Sequence, residues 1–289
     1  MKIKIFAPAK INLGLEILKK RTDGYHEIDM VMQSINLCDE IIIENIADDR
    51  IIVECDKDIG CSMEKNLAYR AARAFLNHVH IQGVGFKIKI VKKIPQEAGL
   101  AGGSADAAAV LYALNIITNS NISNNDMINI ASEIGSDVPF CLVGGCVHAT
   151  GCGTQMRSIS SLSNCFLVVV KPEISICTRK AYALFDDFDI SEFKNNNNLI
   201  KSLYESDING ISKNIFNRFE EIINNSEISL IKEKLRFNGA LGAAMIGSGS
   251  AVFGIFKDKS TALKCFNKLE KNYKQIFLCE PIKHGVYVE

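Results

Sequence analysis

The glycines of one short segment, Pro95–Asp106, have the spacing to hold an anion. Glycines 99, 102 and 103 let the backbone turn sharply and approach a bulky group, and Ser104 opens a predicted helix. Free amide groups and the positive end of the helix dipole would then point at whatever the loop holds. The segment therefore predicts a phosphate-binding loop. A strand-to-helix connection with small residues for tight packing is the alternative, and the P-loop NTPases are disfavoured because no Gly-Lys-Ser/Thr follows.

The charge balance limits the class of ligand. Lys+Arg and Asp+Glu both number 33, so no basic excess is available to hold a nucleic-acid backbone. An anionic ligand must therefore be held locally, by loop amides and a few side chains. The 289 residues are 47% hydrophobic and 23% charged, which is typical of a globular enzyme, and the length favours two domains or one large one.

The cysteines and the apolar runs indicate the compartment. The ten cysteines fall mostly in apolar runs such as Phe140–Val143 and Ser163–Val170, which predicts buried free thiols. Without a Cys-x-x-Cys pair, and with His78 and His80 as the only close histidines, a dedicated metal cage has weak support. No run approaches the ~18 apolar residues of a membrane span, and Met1–Phe6 is too short for a secretory segment. We therefore expect a protein of the reducing cytoplasm, with no membrane partner and no obligate protein partner.

Periodicity in the first half predicts the elements that position the glycine loop. A helix is predicted over Asn66–Val79, a second from Ser104 to about Ile117, and a third that begins with Ser123 as its cap and Asp126 in its first turn. Alternating or β-branched runs predict strands at Lys2–Phe6, Ile11–Leu18, Ile28–Leu37, Glu40–Glu44, Ile51–Glu54 and Val84–Val91.

The second half also mixes helices and strands. A serine-rich stretch at Gln155–Asn164 is the predicted boundary, and an asparagine run at Asn195–Asn198 is predicted to be a solvent loop. A helix is predicted over Ser260–Lys271. Strands are predicted at Phe166–Val170, Ala240–Ile246, Ala251–Phe256, Ile276–Cys279 and His284–Val288. Each half therefore reads as an α+β unit.

Several segments, taken in order along the chain, resemble the GHMP small-molecule kinases. They are Ala7–Leu15, the glycine loop Pro95–Asp106, Gly135–Phe140 and Gly239–Phe253. Together they span nearly the whole chain. Ala7–Leu15 followed by Asp23–Ile28 is similar to the branch of that family whose acceptor is a cytidine-diphosphate-linked methylerythritol.

The resemblance implies a two-domain α+β fold. It implies an N-terminal ATP-binding domain of the ribosomal-protein-S5-like type over residues 1–158 and a C-terminal α+β domain over residues 159–289. The active site is expected in the cleft between the two domains.

The resemblance also implies the residues of that site. Lys10 and Asp137 match the family's catalytic pair, in which a carboxylate accepts the acceptor's proton and an ammonium offsets developing charge. Mg²⁺ is expected with ATP, with Ser104 as its contact. The expected ATP-binding residues are Asn66, Pro95, Gly99, Leu100, Ala101, Gly102, Gly103 and Ser104, and the expected acceptor-binding residues are Asn12, Tyr25, His26, Thr178 and Tyr182.

For the acceptor end, the resemblance implies a cytosine stacked between Tyr25 and Tyr182, with His26 hydrogen-bonding the base edge. Stacking on aromatic faces is worth about 1–3 kcal/mol per base. Met32 stands where some relatives have an aromatic residue, and Ile176-Cys-Thr-Arg lacks the prolines often found in that stretch.

Two other functional readings stay open from the sequence alone. One is a related kinase acting on homoserine, mevalonate, phosphomevalonate or galactose. The Gly-Glu-His expected of galactokinase-like and mevalonate-kinase-like chains is missing after the first strand, where Asn12–Glu16 continues instead. The other is a nucleotide-binding module without catalysis, which would be expected to have replaced Lys10 or Asp137. Both residues are present.

Overall fold

A computed structural model describes residues 1–58, 60–188, 190 and 192–288 of the chain. Two antiparallel-rich sheets, each covered by helices, make up an α+β fold of the predicted class. The strands are β1 (Lys2–Lys20), β2 (His26–Ile46), β3 (Ile51–Cys55), β4 (Gly85–Val91), β5 (Cys146–Gly151), β6 (Gln155–Ile159), β7 (Phe166–Lys171), β8 (Phe216–Asn217), β9 (Gly242–Met245), β10 (Val252–Phe256), β11 (Gln275–Cys279) and β12 (Tyr287–Val288). The helices are α1 (Leu67–His78), α2 (Gly102–Ile117), α3 (Asn124–Ile134), α4 (Val138–Val143), α5 (Thr178–Asp186), α6 (Asn197–Tyr204), α7 (Ile208–Asn214), α8 (Arg218–Ile223), α9 (Ser226–Phe237) and α10 (Lys259–Leu269), and one 3₁₀ turn spans Met63–Lys65.

The first sheet has the order β12-β1-β2-β4-β3, with β5 and β6 continuing from β2 and β8 added to β1. Its two long strands, β1 and β2, each cover two of the shorter strands that the sequence predicted. The pairing of β1 with β2 continues because register shifts, one of them between Pro8 and Lys10, absorb the residues that break the alternation. A proline cannot donate to a sheet ladder, so it is tolerated at such an irregularity.

The helices of the first half confirm three predictions. α1 spans Leu67–His78, within the predicted Asn66–Val79, and α3 begins directly after the predicted cap Ser123, whose side chain accepts a hydrogen bond from the backbone N–H of Asp126 at 3.1 Å. α2 begins at Gly102, two residues before the predicted Ser104. Its run of small side chains is almost entirely buried, which allows α2 to lie close to β1 and α1. α2 therefore lies within the core of this half, where nearly every residue from Ala105 to Leu114 is buried.

The second sheet has the order β11-β7-β10-β9, and α9 and α10 pack against it. Its strands confirm the predictions at Phe166–Val170, Ala251–Phe256 and Ile276–Cys279. The predicted boundary segment is partly wrong, because Gln155–Ile159 is strand β6 of the first sheet. Two later strands, β8 and β12, also pair with β1, so the second half of the chain returns twice to the first sheet.

The prediction of a solvent loop at Asn195–Asn198 is partly wrong. Asn195, Asn197 and Asn198 are exposed, but α6 begins at Asn197. Asn196 is only 1% exposed. Its side-chain amide donates to the backbone carbonyl of Asp29 at 3.0 Å and to the Asp29 carboxylate at 2.8 Å. A buried polar group is tolerated when it is hydrogen-bonded in this way. Asn196 also packs on β1, where a Cβ added to Gly14 would lie 1.9 Å from the Asn196 Oδ1.

The cysteines agree with the expectation of free thiols. All ten cysteines are free, and the six buried ones are Cys38, Cys141, Cys146, Cys165, Cys265 and Cys279. Within the ranges that the structure describes, no helix has the length and apolar character needed to cross a membrane.

Candidate active site

A cavity of about 1000 Å³ collects residues from both halves of the chain. All fifteen residues that the sequence analysis assigned to ATP, the acceptor, the metal or catalysis line it. They reach it from β1, from the start of β2 and the residue before it, from the residue before α1, from the loop before α2 and the first turn of α2, from the N-terminus of α4 and from α5. The structure therefore brings the predicted residues together, and their individual roles stay predictions.

The glycine loop has a backbone shape that few other residues could adopt. Gly99 has a φ of +76°, and a Cβ there would lie 1.9 Å from the carbonyl oxygen of Ile246. Ala101 is also left-handed, with a φ of 58°, and α2 begins at the next residue. The backbone N–H of Lys10 donates to the Leu100 carbonyl at 3.2 Å, which ties the loop to β1. The first amides of α2 are thereby held at the cavity, where an anion would meet them.

A second glycine segment, Gly247–Ser250, packs on this loop. A Cβ at Gly247 would lie 3.2 Å from the Gly99 carbonyl oxygen and 3.4 Å from Lys10 Nζ. Ser248 lines the cavity, and its hydroxyl lies 2.8 Å from the Thr178 hydroxyl. The sequence analysis noted this segment only as part of a resemblance and assigned it no role. Glycines followed by small hydroxyl residues were the signal that could have placed it at the site.

One buried side chain, that of Asn217, fixes the start of the Gly247–Ser250 segment by hydrogen bonds. The Asn217 amide donates to the Met245 carbonyl at 2.8 Å and to the Gly247 carbonyl at 2.7 Å. Asn217 itself pairs with Leu15 of β1. Both glycine segments are therefore fixed to the strand that carries Lys10.

Lys10 and Asp137 lie close together at the centre of the cavity. The Lys10 side chain is 4% exposed, its Nζ donates to Asn12 Oδ1 at 2.8 Å, and it lies 3.9 Å from Asp137 Oδ2. Asp137 occupies the N-cap position of α4, but its side chain forms no capping hydrogen bond. Its carboxylate is thus available to the cavity, beside a fixed ammonium group. This arrangement can accept a proton and offset negative charge within one site.

A buried charge cluster lies directly behind the glycine loop. Lys92 Nζ donates to Asp106 Oδ2 at 2.8 Å and also to Asp39. Burial opposes the charge of Lys92, but Asp106 and Asp39 outweigh it and raise the pKa of the ammonium group. Asp39 also accepts hydrogen bonds from the backbone N–H groups of Lys93 (2.6 Å) and Ile94 (2.8 Å). The cluster therefore anchors the chain as it enters the loop. The sequence analysis missed it because two lysines after a strand are usually solvated charges.

At the nucleotide end, Asn66 has a structural role that limits its functional one. Its Oδ1 accepts a hydrogen bond from the Ala68 backbone at 2.8 Å and so caps α1. Its side-chain nitrogen forms no hydrogen bond with another described residue. That N–H₂ group is therefore available to an adenine base.

At the acceptor end, the rings form a small cluster. The ring of His26 stacks on that of Tyr182, with centroids 4.7 Å apart, and Tyr182 meets Phe219 edge-on at 5.0 Å. Burial raises the pKa of Tyr182 to about 12, and the charge of Asp137 adds to the shift. Tyr25 is 64% exposed at the rim. In the structure, the ring that faces Tyr182 is therefore His26, whereas the sequence analysis expected a cytosine between Tyr25 and Tyr182.

The sequence analysis also missed Asp186, which lines the same end of the cavity. It lies four residues after Tyr182 on α5, so both side chains project from one face of the helix. Its Oδ1 is 2.7 Å from His26 Nε2, and Lys20 also forms an ion pair with it. Helical spacing from Tyr182 was a signal that could have identified it.

Two family models match the chain. The model described as GHMP kinases N terminal domain matches residues 66–145, and the model described as GHMP kinases C terminal matches residues 199–275.

Relatives match over almost the whole chain. A protein of Clostridium botulinum is 39% identical over 280 residues, which is 96% of this chain and 99% of the relative. A protein of Caldicellulosiruptor saccharolyticus is 42% identical over 274 residues, which is 94% of each chain. Both relatives are named 4-diphosphocytidyl-2-C-methyl-D-erythritol kinase.

Solved structures of the same fold include kinases of different acceptors. A 4-(cytidine 5'-diphospho)-2C-methyl-D-erythritol kinase has a TM-score of 0.80 at 29% identity and covers 97% of this chain and 99% of its own. A homoserine kinase from Cytophaga hutchinsonii has a TM-score of 0.79 at 18% identity, and the match covers 100% of this chain and 97% of the kinase. The second likeness is one of fold alone.

Proposed function

Because this chain belongs to the GHMP kinases, we propose that it transfers the γ-phosphoryl group of ATP to the 2-hydroxyl of 4-diphosphocytidyl-2-C-methyl-D-erythritol. The products are ADP and the 2-phosphate, in the non-mevalonate (methylerythritol phosphate) pathway to isoprenoid precursors. The observation that carries the proposal is the Lys10–Asp137 pair, 3.9 Å apart, in a cavity that the glycine loop and the ring cluster also line. The free thiols suit a reducing cytoplasm as its compartment.

The fold by itself does not choose the acceptor. Homoserine and mevalonate kinases share it at 17–18% identity, with TM-scores of 0.79 and 0.72. The choice rests on the relatives at 39–42% identity over nearly the full chain, whose names include the cytidylated acceptor. A non-catalytic module is disfavoured because Lys10 and Asp137 are both present and adjacent.

In the proposed reaction, the chain's own residues mainly position groups and offset charge. Asp137 accepts, or orients, the proton of the acceptor hydroxyl. Lys10, fixed by Asn12, meets the negative charge of the transferring group. The glycine loop holds the phosphates through the first amides of α2, including those of Gly103 and Ser104. In phosphoryl transfer the transition state is usually loose, so positioning and electrostatics carry most of the catalysis.

Mg²⁺ enters the proposal together with ATP, because a transferring phosphoryl group needs its charge neutralised. In the part of the chain that the structure describes, no group of three or more His, Cys, Asp or Glu side chains could hold a metal ion alone. Mg²⁺ usually binds through one or two protein ligands together with substrate phosphates and water, which suits this cavity. The Ser104 side chain forms no hydrogen bond with another described residue, so we propose its hydroxyl as the contact.

We further propose that the chain divides into domains 1–158 and 159–289, with ATP held mainly by the first. The change from the first sheet to the second, between β6 and β7, supports this division. The cavity then lies between the two domains, since α5 and Gly247–Ser250 belong to the second.

The direct test is ATP turnover with different acceptors. Purified protein is given ATP and Mg²⁺ with the cytidylated methylerythritol, homoserine or mevalonate, and the phosphorylated product is identified by phosphorus NMR. We expect turnover with the cytidylated compound alone, and the product to be its 2-phosphate. Phosphorylation of homoserine or mevalonate in preference to the cytidylated compound would show that the acceptor has been assigned wrongly.

A further inference from the structure

The side chain of Asp186 determines which nitrogen of His26 carries hydrogen. The carboxylate Oδ1 lies 2.7 Å from His26 Nε2, which is hydrogen-bonding distance. An ionised carboxylate can only accept a hydrogen bond, so Nε2 must be the donor. Hydrogen bonds from Lys20 and His26 lower the pKa of Asp186, which keeps it ionised.

The ring of His26 is packed closely by its neighbours. Lys20 pairs with Oδ2 of Asp186, which leaves Oδ1 to His26. His26 is 8% exposed, with the face of Tyr182 on one side and the ring of Phe185 edge-on at 5.4 Å. A neutral ring with hydrogen on Nε2 leaves a lone pair on Nδ1.

That lone pair is available to a ligand. His26 lines the cavity, and its Nδ1 forms no hydrogen bond with another described residue. Cytosine and uracil differ at the group such an atom would meet, because cytosine presents an exocyclic amine, a donor, where uracil presents a carbonyl oxygen, an acceptor. A ring nitrogen without hydrogen accepts a hydrogen bond from the amine of cytosine. Opposite uracil, its lone pair would face a lone pair of the carbonyl oxygen, and no hydrogen bond could form.

We infer that Asp186 is a specificity-determining residue: it holds the hydrogen of His26 on Nε2, so that Nδ1 accepts from the amine of cytosine and the acceptor site selects cytosine over uracil. The inference rests on the proposed function, since it concerns the base of the proposed acceptor. Asp186 acts through His26 and is therefore a positioning residue. Lys20 takes part by keeping the carboxylate in place.

The binding test compares CDP with UDP by calorimetry, for the wild type, Asp186→Leu and the control Asp187→Leu. Asp187 is the next residue, is exposed and lies at the end of the same helix. We expect the wild type and the control to bind CDP with a dissociation constant about tenfold or more below that for UDP. A ratio of this size corresponds to one hydrogen bond that CDP makes and that UDP leaves unpaired. In Asp186→Leu the preference should fall to about threefold or less, because the ring can then present either tautomer. Asp186→Ala repeats the measurement if the leucine variant does not fold.

The second readout is the nitrogen NMR spectrum of His26, which distinguishes the two tautomers without any ligand. We expect hydrogen on Nε2 in the wild type and in Asp187→Leu, and a mixed or reversed tautomer in Asp186→Leu. A purely structural Asp186 would weaken CDP and UDP equally and leave the tautomer unchanged, which would overturn the inference alone. Wild-type protein that binds no CDP would overturn both the inference and the proposed acceptor, whatever its tautomer.

Discussion

Removing either member of the Lys10–Asp137 pair should stop turnover without removing substrate binding. Asp137→Asn keeps the shape of the side chain but loses its charge and its ability to take a proton. General acid–base catalysis typically contributes about 10²–10⁴-fold, so we expect a fall of that size in kcat. Both KM values should change little, because the residue acts on the reacting hydroxyl rather than on either base.

The structure sets bounds on how strongly the two residues depend on each other. Two unit charges at about 4 Å attract each other by about 1 kcal/mol in water and about 4 kcal/mol at an effective dielectric constant of 20. Lys10 is buried and the Asp137 side chain is 31% exposed, so the pair falls between these limits. Lys10→Met alone should be severe. The fold-loss of kcat in the double variant should then be much smaller than the product of the two single fold-losses, because the two residues act as a unit.

The assay is steady-state ADP release with kcat and both KM values measured for all four proteins. Lys19→Met is the matched control, because Lys19 lies on the same strand but is exposed. Thermal unfolding shows whether each variant is folded. Near-normal kcat in folded Asp137→Asn, or losses that multiply cleanly in the double variant, would refute the paired site.

Three further outcomes follow from the geometry. Gly103→Val should raise the dissociation constant for ATP, measured by calorimetry, with little change in unfolding temperature, because a Cβ there meets only one side-chain carbon, at 3.6 Å. Gly99→Ala should instead lower the unfolding temperature, because its Cβ would lie 1.9 Å from the Ile246 carbonyl oxygen, and the reverse pattern would contradict the loop assignment. Tyr182→Ala should raise the acceptor KM by the equivalent of about 1–3 kcal/mol, whereas Tyr182→Phe should change it little. An equal rise in the KM of ATP would show that Tyr182 is a core residue only. Arg218→Met should lower the free energy of unfolding, measured with urea, by about 3–5 kcal/mol, because it leaves the buried Glu16 without its bidentate partner. A loss under about 1 kcal/mol would show that Glu16 finds another partner.

Local signals in the sequence were sufficient for much of the fold. The cap at Ser123, the period of α1 and the β-branched runs each depend on neighbours along the chain, and the structure confirms them. The glycine loop was also visible, because left-handed turns restrict residue type directly. In each case the physical cause lies within about ten residues of the pattern.

What the sequence did not show depends on distant partners. Asn196 belongs to a run that looks solvated, and only its contact with Asp29, far away in the chain, explains its burial. Asp186 acquires its importance from His26, and Lys92 from Asp39. No local pattern specifies such pairs, so their discovery requires the folded chain.

The pairing of β12 with β1 has a consequence for how the protein is made. Ile5 lies opposite Val288, so the outer edge of the strand that carries Lys10 has no partner there until Val288 has left the ribosome. Contacts between such distant residues slow folding, because the intervening chain must be closed into a loop first. During that interval the exposed edge offers unpaired backbone groups to other nascent chains. Chaperone dependence at high expression should therefore be greatest for variants that weaken this pairing.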